Sequence, residues 1–269
     1  MGSQSKEVLN GHPEGSAFVA SVSKKGIQPD NAIRFANWLT SDVRYPNGLL
    51  KRLDGGLTYI SSGDIASYQS GLAEAFVYFL NAGGYTEFDV FTVRPNSSQA
   101  WMTNEILHQA NITPVVSYEN LSQLALGGES ARPIAIFDEW SVNGQQLAQQ
   151  ITDAHALNPN APIFVGVGIL GEGAQRRLRQ LQQLIPNLHL VVLDKRVANR
   201  LESVGFTQED VDFINNLLGD RDPQIELRDT IIYGDHKVSD TTSFVLREAV
   251  GNGRNPILIP EVNPPYRKS

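Results

Sequence analysis

The stretch "IAIFDEWSVNGQQLAQQI", residues 134–151, joins an apolar strand to an amphipathic helix through an acidic pair and a glycine loop. Ile134 to Phe137 form a short continuous apolar run that suits a strand buried on both faces. Beyond Gly144, Leu147, Ala148, Ile151 and Ala154 recur at helical spacing. A strand that passes directly into a helix is half of a β-α-β unit, and the chain repeats it on either side. Upstream, "LTYIS" (57–61) reads as a strand and "IASYQSGLAEAFVYFLNAGG" (65–84) as a helix closed by Gly83 and Gly84. "FDVFTV" (88–93), "SQAWMTNEILHQAN" (98–111) and "TPVVSY" (113–118) continue the alternation as strand, helix and strand. Downstream, "PIFVGVGIL" (162–170), "GAQRRLRQLQQLI" (173–185) and "HLVVLD" (189–194) do the same. This rhythm predicts an α/β fold, a mostly parallel sheet with helices on both faces. Right-handed crossovers gather the loops that follow the strands at one edge, where ligands of such folds bind.

The flanks read differently. "SAFVASVSKKG" (16–26) has the look of a short strand with a basic turn, and "PDNAIRFANWLTSDV" (29–43) of a helix with an Asp/Asn start. From about Leu201 the rhythm breaks. The expected organisation is an N-terminal extension over 1–50, an α/β core over 51–200 and a C-terminal cap over 201–269 beside the ligand edge.

Composition narrows the function classes. At 269 residues, 41% hydrophobic and 19% charged, the chain can bury a sizeable core. Its formal net charge of -7, with scattered Lys and Arg, disfavours nucleic acid as a partner. With no cysteine, disulfides, thiolate-bound metals and thiol catalysis are excluded, and the five histidines show no HExxH spacing. No run reaches the roughly 20 apolar residues of a membrane span, and the first residues lack the apolar core of a signal peptide. The expectation is a cytoplasmic protein without a membrane partner; export by a signal-less route would leave the same sequence. A homodimer is compatible with this composition.

An acidic strand end has three readings. Asp138 and Glu139 are a solvated pair favoured by the helix dipole, a magnesium-binding Walker B strand, or a cradle for ribose hydroxyls. The second requires a GxxxxGK[ST] loop, which the chain lacks. In the third, backbone N–H groups at the helix mouth bind a 5′-phosphate. "AIFDEWSVNGQQL" resembles the signature of type I phosphoribosyltransferases, an apolar strand, two acids, variable residues and a Thr-Gly-Gly-Thr-like phosphate loop. The resemblance implies that Asp138 and Glu139 are the catalytic carboxylates and serve Mg2+. It implies that Ser141, Asn143, Gly144, Gln145 and Gln146 hold the phosphate, with amides at both threonine positions.

That family also carries a pyrophosphate loop after its first sheet strand, which "TYISSGDIASYQSGLAEA" resembles, with Ser61, Ser62, Gly63 and Asp64 in the loop. Near the end, "IIYGDHKVSDTTSF" is similar to a segment of a phosphoribosyltransferase-like subgroup, so that Lys237 and Asp240 line the site from the cap. The implied activity is phosphoribosyl transfer from phosphoribosyl pyrophosphate (PRPP), a phosphorylated ribose donor, with Mg2+. The alternative on the same fold is a non-catalytic sensor of a nucleotide or sugar phosphate. A rival reading rests on Gly166, Gly168 and Gly171, which spell GxGxxG between a strand and a helix. With Asp194 at the next strand end, they would form a Rossmann-type NAD site. Arg94, Lys195 and Arg196 fall on the same predicted edge, and Trp140 is the tryptophan placed to stack on a base.

Overall fold

The computed structural model describes residues 11–92, 97–118, 132–218 and 225–234. These divide into two compact units, one made of residues up to Ser61 together with those from Ala198 onward, the other of Ser62–Val197. The division does not follow the expected boundaries at 50/51 and 200/201. The N- and C-terminal flanks instead build one body, and Leu57–Ile60 belongs to it.

In that first unit, α1 (Gly15–Lys24), α2 (Pro29–Thr40) and α3 (Leu49–Gly56) lead into β1 (Leu57–Ile60). Residues 16–24 are helical rather than the expected strand, because Phe18 and Val22, four apart, bury the same face. Phe18, Phe35, Leu39, Leu50 and Leu53 share a core with Phe206, Phe213 and Ile214, which follow on the C-terminal side. Strand β1 lies parallel to a late strand, Ile231–Gly234, in a two-stranded sheet with Leu57 opposite Ile231 and Ile60 opposite Gly234. The helix Gln208–Leu218 starts where Asp210 accepts from the Thr207 N–H at 2.8 Å. Asp210, fully buried, is also paired with Arg52 at 2.5 Å.

The second unit is the α/β layer structure. It runs α4 (Ser62–Gly83), β2 (Asp89–Phe91), α5 (Ser98–Ala110), β3 (Val116–Tyr118), β4 (Ile134–Ser141), α6 (Gln145–Leu157), β5 (Ile163–Gly171), α7 (Glu172–Leu184) and β6 (Leu188–Val192). The strands follow the order β3-β2-β4-β5-β6, and each of these neighbouring pairs is parallel. Counted from β2, the chain order is 2-1-3-4-5, a doubly wound sheet that reverses direction between β2 and β4.

Two cores cover the two faces. Ile134 and Ile136 pack with Ile163 and Val165, under Leu147 and Ile151 of α6 and Leu178 of α7. On the opposite face, Phe76 of α4 has its ring 5.3 Å from Phe137 and 5.0 Å from both Phe88 and Phe164. Edge-on and tilted aromatic contacts of this kind add about 0.5–1.5 kcal/mol per pair beyond burial. At the amino end of the sheet, Arg132 reaches the buried Asp89 at 3.2 Å. No described helix is long and apolar enough to cross a membrane.

Candidate functional site

Strand β4 runs through the acidic pair to Ser141, three residues beyond Asp138. Its register against β5 stays constant, with Asp138 opposite Val167 and Ser141 opposite Leu170, so there is no bulge. Successive strand residues point to opposite faces. Asp138 therefore continues the Ile134–Ile136 row on the α6/α7 face, and Glu139 continues the Phe137 row under α4. Asp138 is half-buried, whereas Glu139 has 0% exposure. The two carboxylates do not present themselves side by side to one ribose, and Asp138 is the one a ligand can reach. Trp140, 5% exposed, is a packing residue of the strand and offers no ring to a base.

The loop that follows turns at a glycine and leads directly into a helix. Gly144 sits at φ +72°, and a Cβ there would lie 2.8 Å from the Ala174 backbone, so the turn needs glycine twice over. Asn143 Oδ1 accepts from the Gln145 N–H at 2.8 Å, which caps the first turn of α6. Gln145 and Gln146 are exposed and Ser141 is buried. Residues 141–146 thus pass from the end of β4 to the N-terminus of α6, the positive end of that helix dipole.

Ser61, Ser62, Gly63 and Asp64 do not follow a strand of the main sheet. They follow β1, which is paired with the Ile231–Gly234 strand, and Ser62–Asp64 form the first turn of α4. Asp64 lies 3.5 Å from Arg196. The first strand of the main sheet is β2, and residues 92–97 lie between it and α5 in the chain. Arg94 belongs to that connection and lies, like Lys237 and Asp240, outside the described residues.

The glycines of GxGxxG are not a loop. Gly166 and Gly168 lie within β5, and Gly171 is its last residue, followed directly by α7. A Cβ on Gly168 would fall 2.3 Å from the Tyr68 ring and 2.4 Å from the Glu139 carbonyl oxygen. One on Gly171 would fall 2.2 Å from the Val142 carbonyl oxygen. Their common requirement is close approach of neighbouring chain. Asp194, the partner in that reading, accepts from the Tyr68 hydroxyl at 2.5 Å and from Arg196 Nε at 2.8 Å. Burial opposes ionisation of Asp194, but the bonds from Arg196 and Tyr68 outweigh it and hold the carboxyl below its ordinary value. Burial and the neighbouring carboxylate push the Tyr68 hydroxyl well above its ordinary value. Asp194 is engaged in joining the end of β6 to α4.

Sequence reasoning missed one polar pair. Gln99, in the first turn of α5, and Gln150, in α6, exchange two amide hydrogen bonds at 3.2 and 3.0 Å, and both are buried. Since α5 follows β2 and α6 follows β4, this pair ties together the two helices that flank the strand-order reversal. Glutamines in amphipathic helices carry no signal that would single them out.

No group of three or more His, Asp or Glu side chains that could hold a metal gathers among the described residues. The donor set, one reachable carboxylate at a phosphate-type loop, suits Mg2+ that takes most of its oxygens from a ligand.

Fold and site together define a doubly wound parallel α/β unit whose strand order reverses between β2 and β4. Comparison with family models, curated proteins and solved structures finds no match.

Proposed function

We propose that the α/β unit binds a 5′-phosphorylated ribose, PRPP or a nucleoside 5′-phosphate, in the crevice between the ends of β2 and β4. The reversal of strand order at that point carries the proposal, because it opens a crevice flanked by the loops of two adjacent strands. The phosphate sits on backbone N–H groups of residues 141–146 at the mouth of α6. Asp138 takes the ribose hydroxyls and would be the protein's carboxylate for a magnesium ion carried in with the ligand. Arg94, in the sequence that follows β2, is the cation that this reading assigns to the diphosphate. In phosphoribosyl transfer, cleavage at C1 builds positive charge on the ribose ring. A fixed carboxylate beside the ring stabilises that charge. Magnesium, when bound, neutralises the departing pyrophosphate.

A second reading, binding without turnover, is supported by the amides that stand at both threonine positions of the resembled loop; Asn143 Oδ1 already takes the Gln145 N–H, so the phosphate uses the other N–H groups of the turn. Calorimetric titration with PRPP and Mg2+ tests the site, using Asp138→Asn and Glu139→Gln as separate variants. Loss of binding in Asp138→Asn, with binding retained in Glu139→Gln, is the expected result. A wild-type chain that binds neither PRPP nor ribose 5-phosphate nor a nucleoside monophosphate would end the proposal. Release of pyrophosphate with an acceptor then separates an enzyme from a sensor.

A further inference from the structure

Among the described residues, strand β6 is the end of the sheet path, hydrogen-bonded to β5. Its sequence, "LHLVV", contains no Lys, Asp, Glu, Pro or Gly, the residues with which natural proteins blunt an exposed edge. The surface beside this edge is apolar on the α4 side, whereas α7 on the other side exposes Arg176, Arg177 and Arg179 as well as Leu184. On one face a groove of about 730 Å3 runs between α4 and β6, bordered by Tyr78, Phe79, Tyr85, His189 and Val191, with Phe164 of β5 at its floor. Tyr78 stands 76% exposed there. On the other face α7 packs on β6, and Leu184 at its end is 74% exposed.

We propose that this edge is the interface between two copies of the chain, with β6 pairing antiparallel to β6 of the second copy about a two-fold axis at Leu190. The strand is self-complementary in that arrangement. Leu188 lies opposite Val192, His189 opposite Val191, and Leu190 opposite itself, so like charges do not meet. A lone peptide strand would satisfy the backbone and leave Tyr78 and Leu184 in water. A second copy brings its own α4 and α7 to cover both faces. The groove lining, the rest of β6 and Leu184 amount to about fifteen residues a side, which at interface densities bury about 500–600 Å2 per copy. That is near the lower end of stable interfaces and fits a reversible, concentration-dependent dimer.

Sedimentation velocity of the full chain across a hundredfold concentration range, with hydrogen exchange of the β6 amides, tests this. The expected result is a monomer–dimer equilibrium in which β6 amide protection rises with concentration. Tyr78→Glu, on an exposed side chain, and Val191→Lys should each shift the midpoint at least tenfold toward monomer. Val43→Lys, at a fully exposed side chain of the other unit, should leave it unchanged. A chain that stays monomeric throughout, or a dimer unaffected by both edge variants, would overturn the proposal.

Discussion

Gly166→Ala and Gly168→Ala form a matched pair that asks what the glycines of β5 are for. The added methyl at 166 meets Leu72 and Phe137 at 2.9 Å and Phe164 at 3.2 Å, all through side-chain atoms that can turn aside. At 168 it meets a Tyr68 ring carbon at 2.3 Å and the Glu139 backbone oxygen at 2.4 Å. That oxygen belongs to β4, whose pairing with β5 fixes its position. Relief therefore needs roughly 1 Å of separation between paired strands or the expulsion of Tyr68. Overpacking costs about 1–3 kcal/mol, and removing glycine flexibility from the unfolded chain returns about 0.4–1 kcal/mol. Gly166→Ala should thus come out within about 1 kcal/mol of wild type, and Gly168→Ala, at the upper end of the overpacking range, about 2 kcal/mol less stable. At ordinary urea slopes the second shift is on the order of 1 M in midpoint. In a Trp38→Phe background the remaining tryptophans, Trp101 and Trp140, both report on the α/β unit. Equal midpoints for the two variants would refute the packing account. Unchanged stability with loss of NAD(H) binding would restore the dinucleotide loop.

Two further predictions rest on single contacts. Removing the guanidinium in Arg52→Met leaves Asp210, whose side chain is fully buried, without its 2.5 Å partner. This should cost about 3–5 kcal/mol, much of it recovered in Arg52→Met with Asp210→Leu, as measured by urea unfolding followed by circular dichroism. Asp194→Asn tests linkage. A folded-state pKa below the unfolded one means that the carboxylate's stabilisation is full above the ordinary carboxylate range, near about 3.9, and disappears as pH falls through the lower folded value. The stability gap between wild type and Asp194→Asn should accordingly be flat at neutral pH and close on acidification. A gap that widens in acid would contradict the assigned direction.

The alternation of strands and helices from residue 57 to 194 was legible because apolar runs and amphipathic periods are local signals. The loop at Gly144 was legible for the same reason, since glycine at a strand-to-helix turn states its own conformation. What failed was non-local. "LTYIS" is a strand, as read, yet its partner is Ile231–Gly234, over 170 residues away, and nothing within four residues announces which sheet will accept them. The acidic pair looked like a strand terminus because charges often mark ends. Trp140 and Ser141 extend the ladder instead, and a regular strand then separates neighbouring carboxylates onto two faces. "SAFVASVSKKG" was ambiguous between periods of 2 and 3.6, and the burial of Phe18 and Val22 against a core supplied partly by residues 201–214 decides for helix.

On the proposed reading the diphosphate contact moves by one strand, which removes a conflict present in the sequence. At 61–64 the loop would carry Asp64, which repels a diphosphate; in the structure that carboxylate faces Arg196 and helps fasten the start of α4 to the end of β6. At 92–97 the corresponding segment carries Arg94 and no acid. Strands β2 and β4 are direct neighbours, and adjacent strands lie about 4.8 Å apart. Loops leaving two such strands can therefore touch the two ends of one sugar bearing a 5′-phosphate and a 1′-diphosphate. The buried Gln99–Gln150 pair ties together α5 and α6, the helices that follow these two strands. On the proposed reading the ligand carries anionic groups at both ends of a small ring, and one carboxylate, Asp138, addresses what lies between them.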